Sequence, residues 1–138
     1  MNYHPRELQY YQAVIDYFPV DENSDSSNQD RLYRDRSRER QAEIFVMNSD
    51  YEKAQEIYAD FARSDLDRLP VVGRAGLAVV LHHQNATEAA RSEIIGVESE
   101  VDEHLNQFLL KQFKEIRSHY FDPNSLNSSP DTKDSLTE

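Results

Sequence analysis

Apolar residues recur every three or four positions through most of this chain, and that spacing is the feature that most limits its fold. It places the apolar side chains on one face of an α-helix, whereas a half-buried strand needs strict alternation. Tight hairpin turns between strands depend on glycine, often in Asn-Gly or Asp-Gly pairs. Only three of the 138 residues are glycine, and neither pair occurs. The sequence therefore predicts an all-α fold, with helical hairpins stacked as a short solenoid or a bundle.

Start and stop signals divide the chain into five predicted helices. Pro5 suits a first helical turn because its missing N–H would be unpaired there. The residue before Pro19 is pushed out of the helical region, so the first helix ends there. The segments 49–52 and 85–88 have the spacing of a capping box, which marks two further starts. The predicted helices cover about 5–18, 30–47, 50–63, 70–83 and 86–120, the last with a kink or break allowed at Gly96.

Composition divides the chain into four parts. These are an N-terminal helix (1–19), a flexible acidic linker (20–29), a helical domain (30–121) and a disordered tail (122–138). The linker and the tail are rich in serine, aspartate and asparagine and lack the apolar residues that pack a core.

Two segments of the helical domain differ sharply in polarity. Segment 70–83 is apolar around most of its circumference, which predicts the buried centre of the domain. Segment 31–40 mixes five arginines with acids, which predicts a helix with a solvated middle and not a phosphate-binding patch.

The charge and composition limit the partners and the compartment. A formal net charge of −11 disfavours nucleic acid and anionic membranes, and it favours a basic protein as partner. No stretch has the roughly 18 apolar residues that a membrane-spanning helix needs. The N-terminal segment lacks the apolar core of a signal peptide. Because there are also no cysteines, which excludes thiol chemistry, we expect a cytoplasmic protein.

The region around the first capping signal resembles a tetratricopeptide repeat. Ala42 stands at that family's small position and Phe45 at its aromatic or apolar position three residues later. Segment 50–54 looks like the turn between the two helices of a repeat, and Tyr58 falls at the aromatic position that follows. A second unit is approximated by Gly76, Leu77, Val80 and Ala89. The resemblance covers about residues 36–100.

The resemblance implies a function in outline. Repeats of this family stack so that the first helix of each pair lines a concave surface that binds peptides or partner helices. The chain would then be a non-catalytic protein-interaction module, an adaptor or chaperone-like protein. Carried over by position, its partner-binding residues are Arg36, Glu39, Glu43, Val46, Arg74, Ala78 and Leu81.

No catalytic residue, metal site or cofactor is predicted, since the Gly-rich phosphate loop and the nucleophile elbow are both absent. Three alternatives stay open. The apolar stripe of helix 94–120 could pair with a second copy to form a homodimer. The acidic charge could mimic nucleic acid. Alternatively, His104 and His119, each four residues after a glutamate, could serve a metal-dependent helical enzyme.

Overall fold

The computed structural model describes residues 3–18, 28–66 and 68–121. These residues form seven α-helices and no strand, so the predicted all-α fold is confirmed. The helices are α1 (Pro5–Tyr17), α2 (Asn28–Met47), α3 (Tyr51–Ala62), α4 (Leu69–His83), α5 (Thr87–Val97), α6 (Val101–His104) and α7 (Gln107–Phe121). None of these helices is long and apolar enough to cross a bilayer. The predicted tail 122–138, and all but the last two residues of the predicted linker 20–29, lie outside the described residues.

The first five helices pack as successive neighbours. Asn48 at the end of α2 donates through Nδ2 to the carbonyl oxygen of Tyr3 at 3.1 Å. Gln41, further back in α2, donates to the side-chain oxygen of Gln12 at 3.0 Å. Low residue numbers in α1 thus meet high numbers in α2, so the two helices are antiparallel. Three-residue turns join α2 to α3 and α4 to α5, which makes each pair an antiparallel helical hairpin.

Those two hairpin turns share one geometry, 36 residues apart. Ser49 and Asn85 both have left-handed backbone torsions, with φ of 62° and 65°. In each turn the N–H of the next residue donates to the carbonyl oxygen five residues earlier, at 2.8 Å. That bond is typical of a helix whose C-terminus is closed by a left-handed residue.

The same turns show that the predicted capping boxes are wrong. Ser49 and Asn85 end the helices that precede them and do not cap those that follow. The N-cap residues are Asp50 and Ala86, and neither makes a side-chain cap hydrogen bond. The starts of α3 and α5 fall close to where the sequence placed them, but the physical cause is the closing turn of the preceding helix.

Helix α4 lies at the centre, packed against α3, α5, α6 and α7. Its side chains are buried around most of the circumference, which confirms the prediction for segment 70–83. It approaches α3 so closely that two of its glycines have no room for a side chain. A Cβ on Gly73 would lie 2.5 Å from the carbonyl oxygen of Tyr58, and one on Gly76 would overlap the Tyr58 ring.

The C-terminal part is three helices and not the single helix predicted over 86–120. Helix α5 ends one residue after Gly96, and the chain turns through 98–100. After the short α6 it becomes extended at Leu105, with φ −94° and ψ 142°. These breaks let the chain fold back on the centre of the bundle.

Helix α7 lies against α4 and runs in the same direction. Arg68 and Asn106 meet at their N-terminal ends, Nη2 to Oδ1 at 3.2 Å, and His82 meets Tyr120 at their C-terminal ends. The apolar stripe predicted over 94–120 is buried within one chain, at Ile94, Val97, Val101, Leu109, Phe113, Ile116 and Tyr120. Most of the stripe is therefore covered within the chain, with Leu105 and Phe108 partly buried, and its pairing with a second copy stays a prediction.

Much of the middle of α2 is buried, although Arg36 and Arg40 are exposed, so the prediction of a solvated middle is wrong for its other polar side chains. Five polar side chains there are at most 7% exposed: Asp35, Ser37, Glu39, Gln41 and Glu43. Helix α2 is enclosed because α1 packs on one side of it and α3 on another. A buried charge is costly unless it is paired and hydrogen-bonded. The partners of these polar side chains therefore define the most unusual part of the molecule.

Candidate functional site

Two carboxylates lie inside the protein, one helical turn apart on α2. Glu39 and Glu43 are 1% and 0% exposed. Residues four apart share a helix face, so both side chains point to the same side of α2. Their surroundings differ, because Glu39 is fully paired and Glu43 is not.

Glu39 clamps three separate parts of the chain together. Arg68, at the start of α4, donates to both of its oxygens, Nη1 to Oε1 at 2.8 Å and Nη2 to Oε2 at 2.6 Å. Asn106, in the connection before α7, donates through Nδ2 to Oε2 at 2.7 Å. Arg68 also donates through Nε to the carbonyl oxygen of His104 at 2.6 Å. A forked arginine–carboxylate pair of this kind is strong and directional. It fixes α2 against α4 and the connection to α7.

Glu43 has a single charged partner, Arg40, on its own helix. Its Oε2 and the hydroxyl of the neighbouring Tyr58 are buried and have no hydrogen-bond partner. Burial raises the pKa of Glu43 to about 7; the charge of Arg40 opposes the rise, and that of Glu39 adds to it. Burial, followed by the charges of Glu43 and Glu39, raises the pKa of Tyr58. Glu43 is thus a poorly compensated acid inside the core.

A cleft of about 380 Å³ opens from Glu39 to the surface. One wall is a face of α2, whose lining residues include pairs that are four positions, or about one helical turn, apart. The other wall is formed by Leu66 and Arg68, which lie between α3 and α4, and by Leu69, the first residue of α4. The Ser64 hydroxyl accepts a hydrogen bond from the N–H of Leu66 at 3.1 Å. The lining consists of Arg31, Leu32, Asp35, Arg36, Glu39, Leu66, Arg68 and Leu69. We call this the α2 cleft.

The α2 cleft has an apolar floor and a charged rim. Three of its eight residues are leucines, and Leu32 is 46% exposed although it is a large apolar side chain. Around them stand three arginines and two acids. Binding sites are commonly apolar surfaces with a few placed polar groups, and about 300–1,000 Å³ is their usual volume.

The structure brings two of the seven predicted partner-binding residues to this cleft. Arg36 is exposed on its rim, and Glu39 lies at its inner end. Arg74 and Leu81 lie elsewhere, on α4. Arg74 donates to Glu93 of α5 at 2.8 Å, and Leu81 packs half-buried against the core.

The remaining predicted residues are internal. Glu43, Val46 and Ala78 are buried and face no solvent, so the prediction that they line an open groove is corrected. Neighbouring helices enclose both α2 and α4, and α7 packs along α4. The spacing pattern did not identify the other six residues of the cleft: Arg31, Leu32, Asp35, Leu66, Arg68 and Leu69. Leu66 and Leu69 were the available signal, since they are apolar residues in the otherwise polar stretch 63–69.

Three histidines gather at the C-terminal end of α4. The His82 ring lies 5.3 Å from that of His83 and 5.4 Å from that of His119. Nδ1 of His82 is 3.0 Å from the Tyr120 hydroxyl, and burial, then the nearby His83 and His119, lowers the pKa of His82. The metal hypothesis rested on His104 and His119, but His104 ends α6 before α7 begins, whereas His119 lies near the C-terminal end of α7. Within residues 3–18, 28–66 and 68–121, no group of three or more histidines and acids could hold an ion.

Comparisons with known proteins give no relative to transfer a function from. No protein-family model, curated protein or solved structure matches the chain. Any function proposed for it therefore depends on its own residues and geometry.

Proposed function

We propose that this chain is a non-catalytic protein-interaction module, an adaptor or chaperone-like protein, which holds a segment of a partner protein in the α2 cleft. The observation that carries the proposal is the cleft itself. It leaves a half-exposed leucine between charged side chains, on a wall that the Glu39–Arg68 clamp holds in place. An apolar surface that remains open on a folded chain is typical of a binding site.

The shared geometry of the two hairpins supports this proposal. Ala42 and Ala78 are 36 residues apart, as are Ala54 and Ala90, and all four are 0% exposed. With the matching turns, they support α2–α3 and α4–α5 as two units of a tetratricopeptide-like solenoid. In such a solenoid the first helix of each unit contributes the binding surface. Helix α2 is the first helix of the first unit, and it supplies five of the eight cleft residues.

The placement of the titratable groups favours binding over catalysis. A general acid or base must reach the proton that it transfers. Glu43 has a pKa suited to that role, but it is 0% exposed and is not among the residues that line the cleft. Tyr58 is equally buried. The groups with the most perturbed pKa values thus lie where no substrate reaches them.

A peptide-display selection against the immobilised full chain tests the proposal. Selected peptides should bind the parent protein and lose binding to Leu32→Glu, which puts a charge on the cleft floor. The matched control is Ile95→Glu, which puts the same charge on an exposed isoleucine of α5 outside the cleft. Both residues are exposed, so both variants should fold, and circular dichroism checks this.

Two outcomes of the selection would contradict the proposal in different ways. Peptides that ignore Leu32→Glu would show that the α2 cleft is not the binding site. A selection that enriches nothing above background would count against a peptide-binding module as such.

Self-association is the second candidate, and one observation favours it. Tyr10 and Tyr17 are spaced seven apart on α1 and are 64% and 77% exposed, and Tyr3, two residues before that helix, is 50% exposed. A seven-residue spacing keeps side chains on one helix face, so Tyr10 and Tyr17 lie on an outward face of α1 that none of the other described helices covers. Light scattering across a concentration series tests this, with Tyr10→Glu as the variant. A chain that stays monomeric at the highest concentration removes the candidate.

A further inference from the structure

The chemistry of the α2 cleft identifies the class of segment that it accepts, given the proposed function above. We propose that the occupant is an acidic segment of a partner protein. It places an aliphatic side chain on the leucine floor and carboxylates against Arg31 and Arg36. The net charge of the whole chain had favoured a basic partner, so this inference depends on the local charge of the cleft.

The pairing of the arginines on α2 is the first argument. Five arginines lie between residues 31 and 40. Arg34, Arg38 and Arg40 each form an ion pair with an acid, namely Asp35, Asp60 and Glu43.

The other two arginines both line the cleft. Neither Arg31 nor Arg36 has a carboxylate of the described chain within ion-pair distance. The Nε of Arg31 is also buried without a hydrogen-bond acceptor. In a protein with a net charge of −11, two guanidinium groups on one small cleft that have no partner carboxylate among residues 3–18, 28–66 and 68–121 are unusual. Guanidinium groups bind carboxylates through paired hydrogen bonds, so they suit an acidic ligand.

The acids of the cleft do not offer a site for a basic ligand. Glu39 is saturated by Arg68 and Asn106, and Asp35 is paired with Arg34. A lysine or arginine on an incoming segment would thus meet Arg31 and Arg36 first, with no free carboxylate among the eight lining residues to receive it. Like charges brought together in this way discriminate against the wrong partner.

The leucines are the second argument, and they decide between a peptide and a nucleic acid. Leu32, Leu66 and Leu69 form a floor that phosphates and sugars cannot use. An aliphatic side chain flanked by carboxylates would cover the leucines of the floor and also form ion pairs with the arginines of the rim. The volume of about 380 Å³ admits a few side chains and no large cofactor.

Fluorescence anisotropy with synthetic peptides and the full chain tests the inference. The probe is a labelled peptide of alternating glutamate and leucine. Its two matched controls replace every glutamate by lysine or every leucine by serine, and an oligothymidylate of equal charge is the fourth ligand. The protein variants are Arg36→Glu in the cleft and Lys111→Glu, which makes the same charge change on an exposed site of α7.

We expect the glutamate–leucine peptide to bind at least about tenfold more tightly than either control peptide or the oligonucleotide, since each charge-assisted contact is worth about a factor of ten. Arg36→Glu should weaken it by a similar factor, whereas Lys111→Glu should leave it within about twofold. Equal binding of the lysine peptide, preferred binding of the oligonucleotide, or equal effects of the two variants would overturn the inference.

A failure of the acidic specificity can be distinguished from a failure of the proposed function. If display yields neutral or basic peptides that still lose binding to Leu32→Glu, the cleft is a binding site and only the acidic specificity is wrong. If no peptide depends on Leu32, both proposals fail.

Discussion

Replacing Glu43 with glutamine should stabilise the protein at alkaline pH and leave its stability nearly unchanged at acidic pH. The folded state holds the pKa of Glu43 at about 7, compared with an ordinary value of 4.5. Between these values the folded chain keeps a proton that the unfolded chain has released. The free energy of unfolding therefore falls as the pH rises through this window, and it levels off above it.

The size of the effect follows from the two pKa values. A tenfold change in proton affinity corresponds to about 1.36 kcal/mol, so the buried charge costs the folded state about 3 kcal/mol at about pH 8. Glutamine carries no charge and avoids this cost. It also loses the ion pair with Arg40, but the effect of Arg40 is already contained in the pKa of about 7, so it is not subtracted again. We expect Glu43→Gln to be about 3 kcal/mol more stable than the parent at about pH 8.

Urea denaturation followed by circular dichroism at a series of pH values measures the difference. The control is Glu88→Gln, an exposed glutamate of α5 whose replacement should leave the pH dependence unchanged. A variant whose unfolding free energy falls with pH as steeply as that of the parent would refute the reasoning. So would a Glu43→Gln protein that is less stable than the parent at about pH 8.

Three further predictions test the packing, each by thermal or urea denaturation. Glu39→Ala should lower the free energy of unfolding by about 2–3 kcal/mol because Arg68 loses a buried forked partner; an unchanged melting temperature would contradict the clamp. Gly73→Ala should cost about 3 kcal/mol because the new methyl group meets the backbone of α3, whereas Gly96→Ala meets only a flexible arginine side chain and should be neutral or stabilising. Ala54→Asp should abolish the cooperative transition, since it buries an unpaired charge; a folded variant would mean that α3 can shift.

Local signals were sufficient for the first four helices. Pro5 and the apolar spacing defined α1, and the composition of segment 70–83 identified α4 as the centre. They were insufficient after Gly96, because the turn at 98–100 contains neither glycine nor proline and its residues are compatible with a continuous helix. That turn forms because α7 gains more by packing on α4 than by extending α5 into solvent.

The sequence predicted only part of the candidate site. The position of Arg36 on a helix face follows from the spacing, and Arg36 does lie on the cleft. The opposite wall comes from Leu66, between α3 and α4, and Leu69, at the start of α4, and their position depends on how α3 and α4 pack. No local pattern indicates that a connection will lie across from a helix that begins more than 30 residues earlier.

The sequence by itself determined the first four helices and the apolar centre, because both depend on the spacing of residues a few positions apart. Only the tertiary structure decided which charges are buried and which remain unpaired. Glu39 and Arg36 lie on the same polar helix and look alike in sequence, yet one is enclosed by Arg68 and Asn106 and the other is left open. A charge is stabilised by whatever distant group the fold brings to it, and that group is set by the packing of whole helices.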